Sequence, residues 1–393
     1  MTDSSRENPR KLLAYAFLQR GILGIASGLI GPLIPFIARD LNTGLDRIGA
    51  AISFSVIAIF AVAIILNNVI DILGYRRVLL VGIALLSFGA LGMFISKILI
   101  LFFLCYFLYQ LGSGVLSITI FSIIGNIHFE EKSSRIMQTA IYYSLGNIIS
   151  PLLVSLFIGF NLNWQYIFLC VFIMQAGLWA FMFTVNIPRT TRVARSMRNV
   201  FRIDKKIMLN PFFIIIGLMV LFYSAVMDTF FTWFTSYFEA LDISVSKSSL
   251  FLALYTLSLL LGLLLKSRLS RKVREVNMLM WGILLSLIFM LCIFFIDNLA
   301  VKNVMLFIYG ICVTGNFTFL VILALNFGPK YAASIATYTH ALAYLGSVIF
   351  QYLSGALSEH VSKNSVLYID IVLLFIIFVL AVVIQREKVQ GPE

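Results

Sequence analysis

The chain has 393 residues, of which 61% are hydrophobic and only 12% charged, with a formal net charge of +12 and a mean hydropathy of +1.01. A water-soluble domain of this length cannot hide that much apolar surface, so a soluble globular fold is excluded. Lipid accepts such surface, but it requires every backbone N–H and C=O to be bonded within its own segment, which predicts an all-α bundle.

A span needs about 20 apolar residues to cross the hydrocarbon core. Twelve stretches meet that length: 12–38, 48–70, 77–96, 99–125, 136–160, 164–187, 210–238, 247–265, 276–296, 302–327, 331–358 and 364–385. The first is too long for a cleaved signal peptide, and Arg20 interrupts it. Placing the N-terminus inside leaves six basic residues in outer loops: Arg39, Arg47, Lys97, Lys247, Lys302 and Lys363. Arg20 lies within a span, and the other 22 of the 29 Lys and Arg fall on the inner side. This bias predicts a multi-pass protein of the plasma membrane with both termini cytoplasmic. Sidedness accounts for the basic charge, so no nucleic-acid partner is expected.

Cys105, Cys170, Cys292 and Cys312 all fall inside spans and read as small packing residues. There is no CxxC, no His/Cys cluster of metal spacing and no GxxxxGK[ST] phosphate loop. No metal, cofactor or ATP drive is expected. No nucleophile–base arrangement points to an enzyme.

The longest inner segment divides the chain into a six-helix bundle over 1–187, a basic cytoplasmic linker over 188–208, and a second six-helix bundle with a short tail over 209–393. Arg189, Arg192, Arg195, Arg198 and Arg202 recur three or four residues apart, which on a helix is one face. With Val193, Met197, Val200 and Phe201 they form an amphipathic helix on the anionic inner leaflet. An unstructured basic tether is the other reading.

The segment from Asn67 to Arg77 joins spans 2 and 3, and within it Asp71, Gly74, Arg76 and Arg77 resemble the loop signature G-x-x-x-D-x-x-G-R-[RK] of the major facilitator superfamily. Asn67 stands for the leading glycine and Tyr75 for the first basic residue. Gly74 permits a tight turn, and Asp71 suits a helix N-terminus. The second half keeps Gly262 and a basic tail from Lys266 to Arg274, with Lys266 where the acid would fall. The resemblance implies twelve helices in two pseudo-symmetric bundles, a latch at Asp71, Gly74, Arg76 and Arg77, and a secondary transporter working by alternating access around a midplane site. Residues 146–151 partly resemble an antiporter motif of span 5, and residues 163–168 the opening of span 6. Gln110 precedes Leu111-Gly112-Ser113-Gly114, where exporters of the family carry an Arg. That difference argues against a proton-driven drug exporter.

An ionisable side chain at mid-bilayer costs at least ~2.5 kcal/mol on insertion scales and is a functional candidate by default. Three stand out: Arg20 in span 1, Asp228 in span 7 and His340 in span 11. Arg20 either snorkels to the headgroups or faces inward, where its fork can hold a carboxylate, a phosphate or a pair of sugar hydroxyls. Gly21, Gly24, Gly28 and Gly31 follow it and point to close helix packing, which favours the inward Arg. Tyr223, Trp233 and Tyr237 around Asp228 keep the spacing of span 7 in the fucose/glucose permease branch, with the acid displaced by one residue. Asp228 is either a proton carrier or a structural partner for a hydroxyl. His340 is either hydrogen-bonded packing or a proton switch.

The neutral polar groups Gln19, Tyr109, Gln110, Tyr143, Asn147, Trp233, Asn316, Thr318 and Tyr344 form a candidate sugar surface, although amides also join helices. The expected substrate-binding set is Arg20, Gln19, Gln110, Tyr143, Asn147, Trp233, Asn316 and Tyr344, with Asp228 and His340 for coupling. The expected partners are a small-molecule substrate, the lipid bilayer, and protons or sodium as coupling ion; a monomer is expected. Sugar or polyol transport is the leading expectation. Export or flipping of an amphipathic lipid or drug is the alternative.

Overall fold

The computed structural model describes residues 9–127, 132–187, 209–270, 272–327 and 332–386. The basic segment 188–208, and with it the expected surface helix, lies outside the described residues. The described residues form fourteen helices and no strand: α1 Pro9–Gly28, α2 Ile30–Asp40, α3 Leu45–Leu73, α4 Tyr75–Ile95, α5 Leu99–Ile127, α6 Lys132–Gly159, α7 Tyr166–Met182, α8 Pro211–Glu239, α9 Val245–Leu269, α10 Glu275–Phe295, α11 Leu299–Val313, α12 Asn316–Phe327, α13 Ala332–His360 and α14 Ser365–Arg386. Among them, ten spans are long and apolar enough to cross a membrane, one of them running through α11 and α12. The bent pair α1–α2 makes an eleventh, and the shorter apolar α7 occupies the place of the sixth expected span.

Local chemistry sets the helix ends. Asn210 accepts from the Phe212 N–H at 2.9 Å, with Pro211 at the first helical position of α8. Asn298 accepts from the Ala300 and Val301 N–H groups and caps α11. Gly74 sits at φ +79° between α3 and α4, a conformation that side chains with a Cβ resist. The first span bends by 42° at Leu29, between α1 and α2. The tenth is interrupted at Thr314–Gly315, where Gly315 also has φ +79°.

The chain divides into two compact units: Met1–Thr43, Phe54–Arg195 and Val245–Ala253 in the first, and Gly44–Ser53, Ser196–Ser244 and Leu254–Glu393 in the second. In the first unit α1 packs on α6, and α4 on α5 and α7. In the second, α8 packs on α13 and α14, and α10 on α11 and α14. The bounds of α4, α5 and α6 (75–95, 99–127, 132–159) recur almost unchanged, shifted by 200 residues, in α10, α11–α12 and α13 (275–295, 299–327, 332–360). Equivalent glycines make close contacts with the backbone of the facing helix. A Cβ on Gly146 of α6 would collide with the Gly21 carbonyl of α1, and one on Gly346 of α13 with the Leu221 carbonyl of α8. Large apolar side chains such as Phe88, Phe160, Phe295 and Val372 remain exposed. On a membrane protein these are the surface that lipid covers.

Candidate functional site

In the first unit, Arg20 on α1 is buried, at 5% exposure, and no carboxylate is recorded against it among the described residues. Its guanidinium lies between two rings, 4.5 Å from the centroid of Phe121 on α5 and 4.4 Å from that of Tyr143 on α6. One terminal nitrogen donates to Ser117 Oγ at 2.5 Å, while Nε–H has no partner. A desolvated cation held by π faces and one hydroxyl keeps hydrogen-bonding capacity for an incoming acceptor. Beside it, the Tyr143 hydroxyl donates to Ser27 Oγ at 2.8 Å, and Ser27 Oγ lies 3.0 Å from Asn147 Oδ1. Gln19 is fully buried and donates to Gln175 Oε1 of α7 at 3.2 Å. Gln110 is half-buried, and Tyr109 is buried with its hydroxyl on the Ala26 carbonyl.

In the second unit, Asp228 on α8 is exposed, and one of its carboxylate oxygens bonds Ser347 Oγ of α13. Gln351, one turn further along α13, ties three groups of α8 together. Its Nε2 donates to the Asp228 carbonyl at 2.9 Å and to Thr232 Oγ1 at 2.8 Å, and its Oε1 accepts from Trp233 Nε1 at 3.0 Å. Trp233 is fully buried, so its polar atom is used within this network. Asn316 is also fully buried: its Oδ1 accepts from Lys266 Nζ at 2.7 Å. Tyr344 is half-buried and Thr318 exposed. His340 is exposed, with Nδ1 2.8 Å from the Ala336 carbonyl and its ring edge-on to Phe317. Neither of these His340 contacts involves Asp228.

Of the loop residues, Gly74 has the left-handed backbone that a tight turn needs, and Arg76 and Arg77 are exposed. The Arg76 guanidinium stands 5.7 Å over the Phe183 ring. The Asp71 side chain lies outside the described residues. Trp164 donates to Asp40 Oδ2 at 2.7 Å and packs edge-on against Phe102 and Phe168, so the start of the sixth span is fastened to the end of α2.

Sequence reasoning found Arg20 and Asp228 but missed the groups that hold them: Ser117 and Phe121, Ser347 and Gln351. It also took Asp228 to be the single carboxylate well inside a span. Asp370, in the second turn of α14, is a second one, fully buried and bonded to Thr229. The available signal was a lone acid in the apolar run from Val366 to Ile384. Lys266 was read as part of a basic tail. It is buried, with its three ammonium donors on the Cys312 and Thr314 carbonyls and Asn316 Oδ1, where α11 ends. Among the described residues no three His, Cys, Asp or Glu come together as a metal site would require.

The family model described as Major Facilitator Superfamily matches residues 16–350. A curated relative from Buchnera aphidicola subsp. Baizongia pistaciae, called Protein TsgA homolog, is 20% identical over 96% of both chains. The protein of the same name from Serratia proteamaculans is 24% identical, but the match spans 45% of each chain, so this chain covers about half the length of that relative. Among solved structures, the nucleoside transporter NupG is similar with a TM-score of 0.76 at 17% identity, over 96% of this chain and 98% of that one. A D-xylose–proton symporter is similar with a TM-score of 0.74 at 13% identity, over 98% of both.

Proposed function

The chain belongs to the major facilitator superfamily, and from that membership we propose that it is a secondary transporter of a small hydroxyl-rich solute, with a sugar or related polyol favoured, coupled to protons through Asp228. The observation that carries the substrate reading is the buried Arg20 guanidinium with no acid partner among the described residues, its flanking rings and its unpaired Nε–H. A planar fork bonds a vicinal pair of hydroxyls, and a tyrosine face stacks on the C–H face of a sugar ring. Tyr143 and Asn147, half-buried beside Arg20, extend the hydroxyl-binding surface. Gln19 orders the segment from behind, through Gln175. Two proteins of similar structure, a nucleoside transporter and a xylose–proton symporter, carry polyhydroxylated solutes, which supports the same class.

Asp228 is reachable, whereas Trp233 and Asn316 are occupied within the second unit in this conformation. We therefore assign binding in the first unit to Arg20, Tyr143 and Asn147, with Gln110 at the margin, and, in the second unit, coupling to Asp228 rather than His340. Residues 1–187 and 209–393 serve as the two repeats, joined by the basic segment 188–208, in a monomer of the plasma membrane with both termini cytoplasmic. The test is uptake of labelled monosaccharides and nucleosides into proteoliposomes with an inward proton gradient. Accumulation of one of these solutes, lost in Asp228→Asn while counterflow exchange persists, supports the reading. Accumulation unchanged in Asp228→Asn removes the coupling assignment, and failure of every hydroxylated solute removes the substrate class.

A further inference from the structure

Thr229 and Asp370 present a hydrogen-bonding problem that a proton on Asp370 solves with two full hydrogen bonds. Thr229 Oγ1 lies 2.7 Å from the Ala225 carbonyl, one turn back in α8, and 2.9 Å from Asp370 Oδ1 on α14. A hydroxyl carries one proton, yet it faces two oxygens. A carbonyl only accepts, and an ionised carboxylate only accepts, so with Asp370 ionised the one Thr229 proton has to be split between two acceptors or leave one contact without a hydrogen. Both become hydrogen bonds if the Asp370 carboxyl donates to Thr229 Oγ1 while the Thr229 O–H donates to Ala225. The surroundings agree. Asp370 is fully buried, its Oδ2 has no partner, and no basic side chain is recorded against it among the described residues. The two buried lysines of this unit are engaged elsewhere, Lys266 on the break after α11 and Lys302 on the Tyr237 hydroxyl.

The titratable groups recorded beside Asp370 are both phenols, Tyr255 on α9 and Tyr309 on α11; of Tyr223, Asp228, Tyr237 and Glu239 on α8, none is recorded against it. Tyr255 and Tyr309 stack at 6.0 Å with Phe230 5.2 Å from each, and neither phenol oxygen has a hydrogen-bond partner. On the other two helices packed against α14, the charged or titratable groups are Glu275 and Cys292 of α10, and Tyr338, His340, Tyr344, Tyr352, Glu359 and His360 of α13; none is recorded against Asp370. The same arithmetic holds at Asp228, where Ser347 Oγ faces both that carboxylate and the Ala343 carbonyl at 3.2 Å.

We propose that Asp370 is a second proton-binding site, separate from Asp228, so that the second unit binds two protons when both acids are bonded to their hydroxyls. Each proton sits on a carboxyl oxygen and is shared with a Thr or Ser oxygen whose own proton goes to a helix carbonyl. The inference does not rest on the substrate assignment, and its test needs no substrate. The purified chain in liposomes near neutral pH is measured by infrared difference spectroscopy in H2O and D2O, in the carboxylic-acid C=O stretching region. Wild type is expected to show one deuterium-sensitive acid band that Asp370→Asn loses, joined on acidification by a second that Asp228→Asn loses. Thr229→Val, which removes the hydroxyl and keeps the acid, is expected to shift the Asp370 band without abolishing it. An acid region unaltered by Asp370→Asn means an ionised Asp370 and overturns the proposal. A band unshifted by Thr229→Val overturns the hydrogen-bond arrangement, and this arm remains available if Asp370→Asn fails to fold. Loss of the band on replacing choline chloride by sodium chloride at constant pH assigns the site to sodium and also overturns it.

Discussion

Arg20 shows what one residue in a span discloses and what it conceals. That it lies within an apolar run was visible in the sequence, and cost alone marked it as functional. Its support was not visible, because Ser117, Phe121 and Tyr143 come from α5 and α6, about 100 residues or more away in sequence, and neither periodicity nor spacing links them. Asp370 was missed for a related reason. Five residues beyond the start of α14 it reads as a loop-edge acid, and only the tertiary contact with Thr229 shows it buried. The two-ring arrangement also separates Arg from Lys. A guanidinium offers two flat faces and a fork, whereas an ammonium is a compact point charge that cannot stack on both rings. A hydrogen bond to a charged group contributes about 1.5–3 kcal/mol, and 1.4 kcal/mol is about tenfold in affinity, so losing one arm of the fork on the solute costs about tenfold. Arg20→Lys is therefore expected to raise the KM for the transported solute by about tenfold or more, while the lost stacking on Phe121 and Tyr143 lowers the melting temperature by a few degrees. Uptake kinetics and thermal unfolding of the same preparation check both halves; an unchanged KM places Arg20 outside the binding site.

At the scale of the helices, span positions were legible because lipid demands length and apolarity. The interruptions were not. Gly28, Gly31 and Pro32 flank Leu29 and Gly315 lies at the second break, but within long apolar runs they do not by themselves separate a broken span from a packed one, and both spans are expected to be continuous. The second break has a visible cause in Lys266. Its ammonium meets the Cys312 and Thr314 carbonyls at 2.6 and 2.7 Å, at the end of α11, where unsatisfied carbonyls and the helix dipole both favour a cation. Gly282 of α10 leaves room for this arrangement: a Cβ there would lie 2.9 Å from Lys266 Nζ. Lys266→Met keeps the stem but orphans three buried acceptors. Each unsatisfied group costs about 1–3 kcal/mol, partly offset by the charge no longer buried. A net loss on the order of 2–4 kcal/mol is expected, read as a melting temperature lower by several degrees in detergent. A stability equal to wild type removes Lys266 as the clamp of this break.

The 200-residue repeat of helix bounds was equally hidden, since the halves share backbone contacts rather than residues. Gly146 and Gly346 occupy corresponding places, each against a carbonyl of the facing helix. The position corresponding to Asp228 is Gly28, and that corresponding to Lys266 is Leu66, so Lys266 does not stand where the loop acid Asp71 would fall, as the sequence pattern alone suggests. The chemistry thus lies in the departures from the repeat, and its glycines lie in what is kept. A branched side chain at Gly146 must push α6 away from α1, carrying Tyr143 off Arg20 with it. Gly146→Leu is expected to abolish uptake and to lower the yield of folded protein, whereas Gly177→Leu, where an added Cβ meets nothing within 4 Å, is expected to be tolerated. Equal transport by the two variants contradicts the close approach of α1 and α6.

For the whole molecule, composition alone announced a membrane protein, and the described helices agree: ten spans, an eleventh in the bent pair and a shorter apolar twelfth helix. Exposed phenylalanines and leucines cover the outside of these helices, a surface stable only if lipid meets it. Orientation follows from charge, because basic residues resist translocation and short loops carrying them stay on the inner side. The turn between α9 and α10 holds Lys272 and Arg274 with Lys266 and Arg268 just before it, whereas the turn between α13 and α14 holds only Lys363, which is paired with Glu239 at 3.2 Å. One cysteine placed at Ser270 and one at Ser362 therefore report opposite sides. In intact cells, a membrane-impermeant maleimide is expected to modify the Ser362→Cys chain and to leave Ser270→Cys unmodified until the membrane is opened. The four native cysteines lie within helices, and the parent chain supplies their background. Labelling of both from outside, or of Ser270→Cys alone, reverses or breaks the topology. It would then place the loop of Gly74, Arg76 and Arg77 on the outer face and overturn its assignment as a cytoplasmic latch.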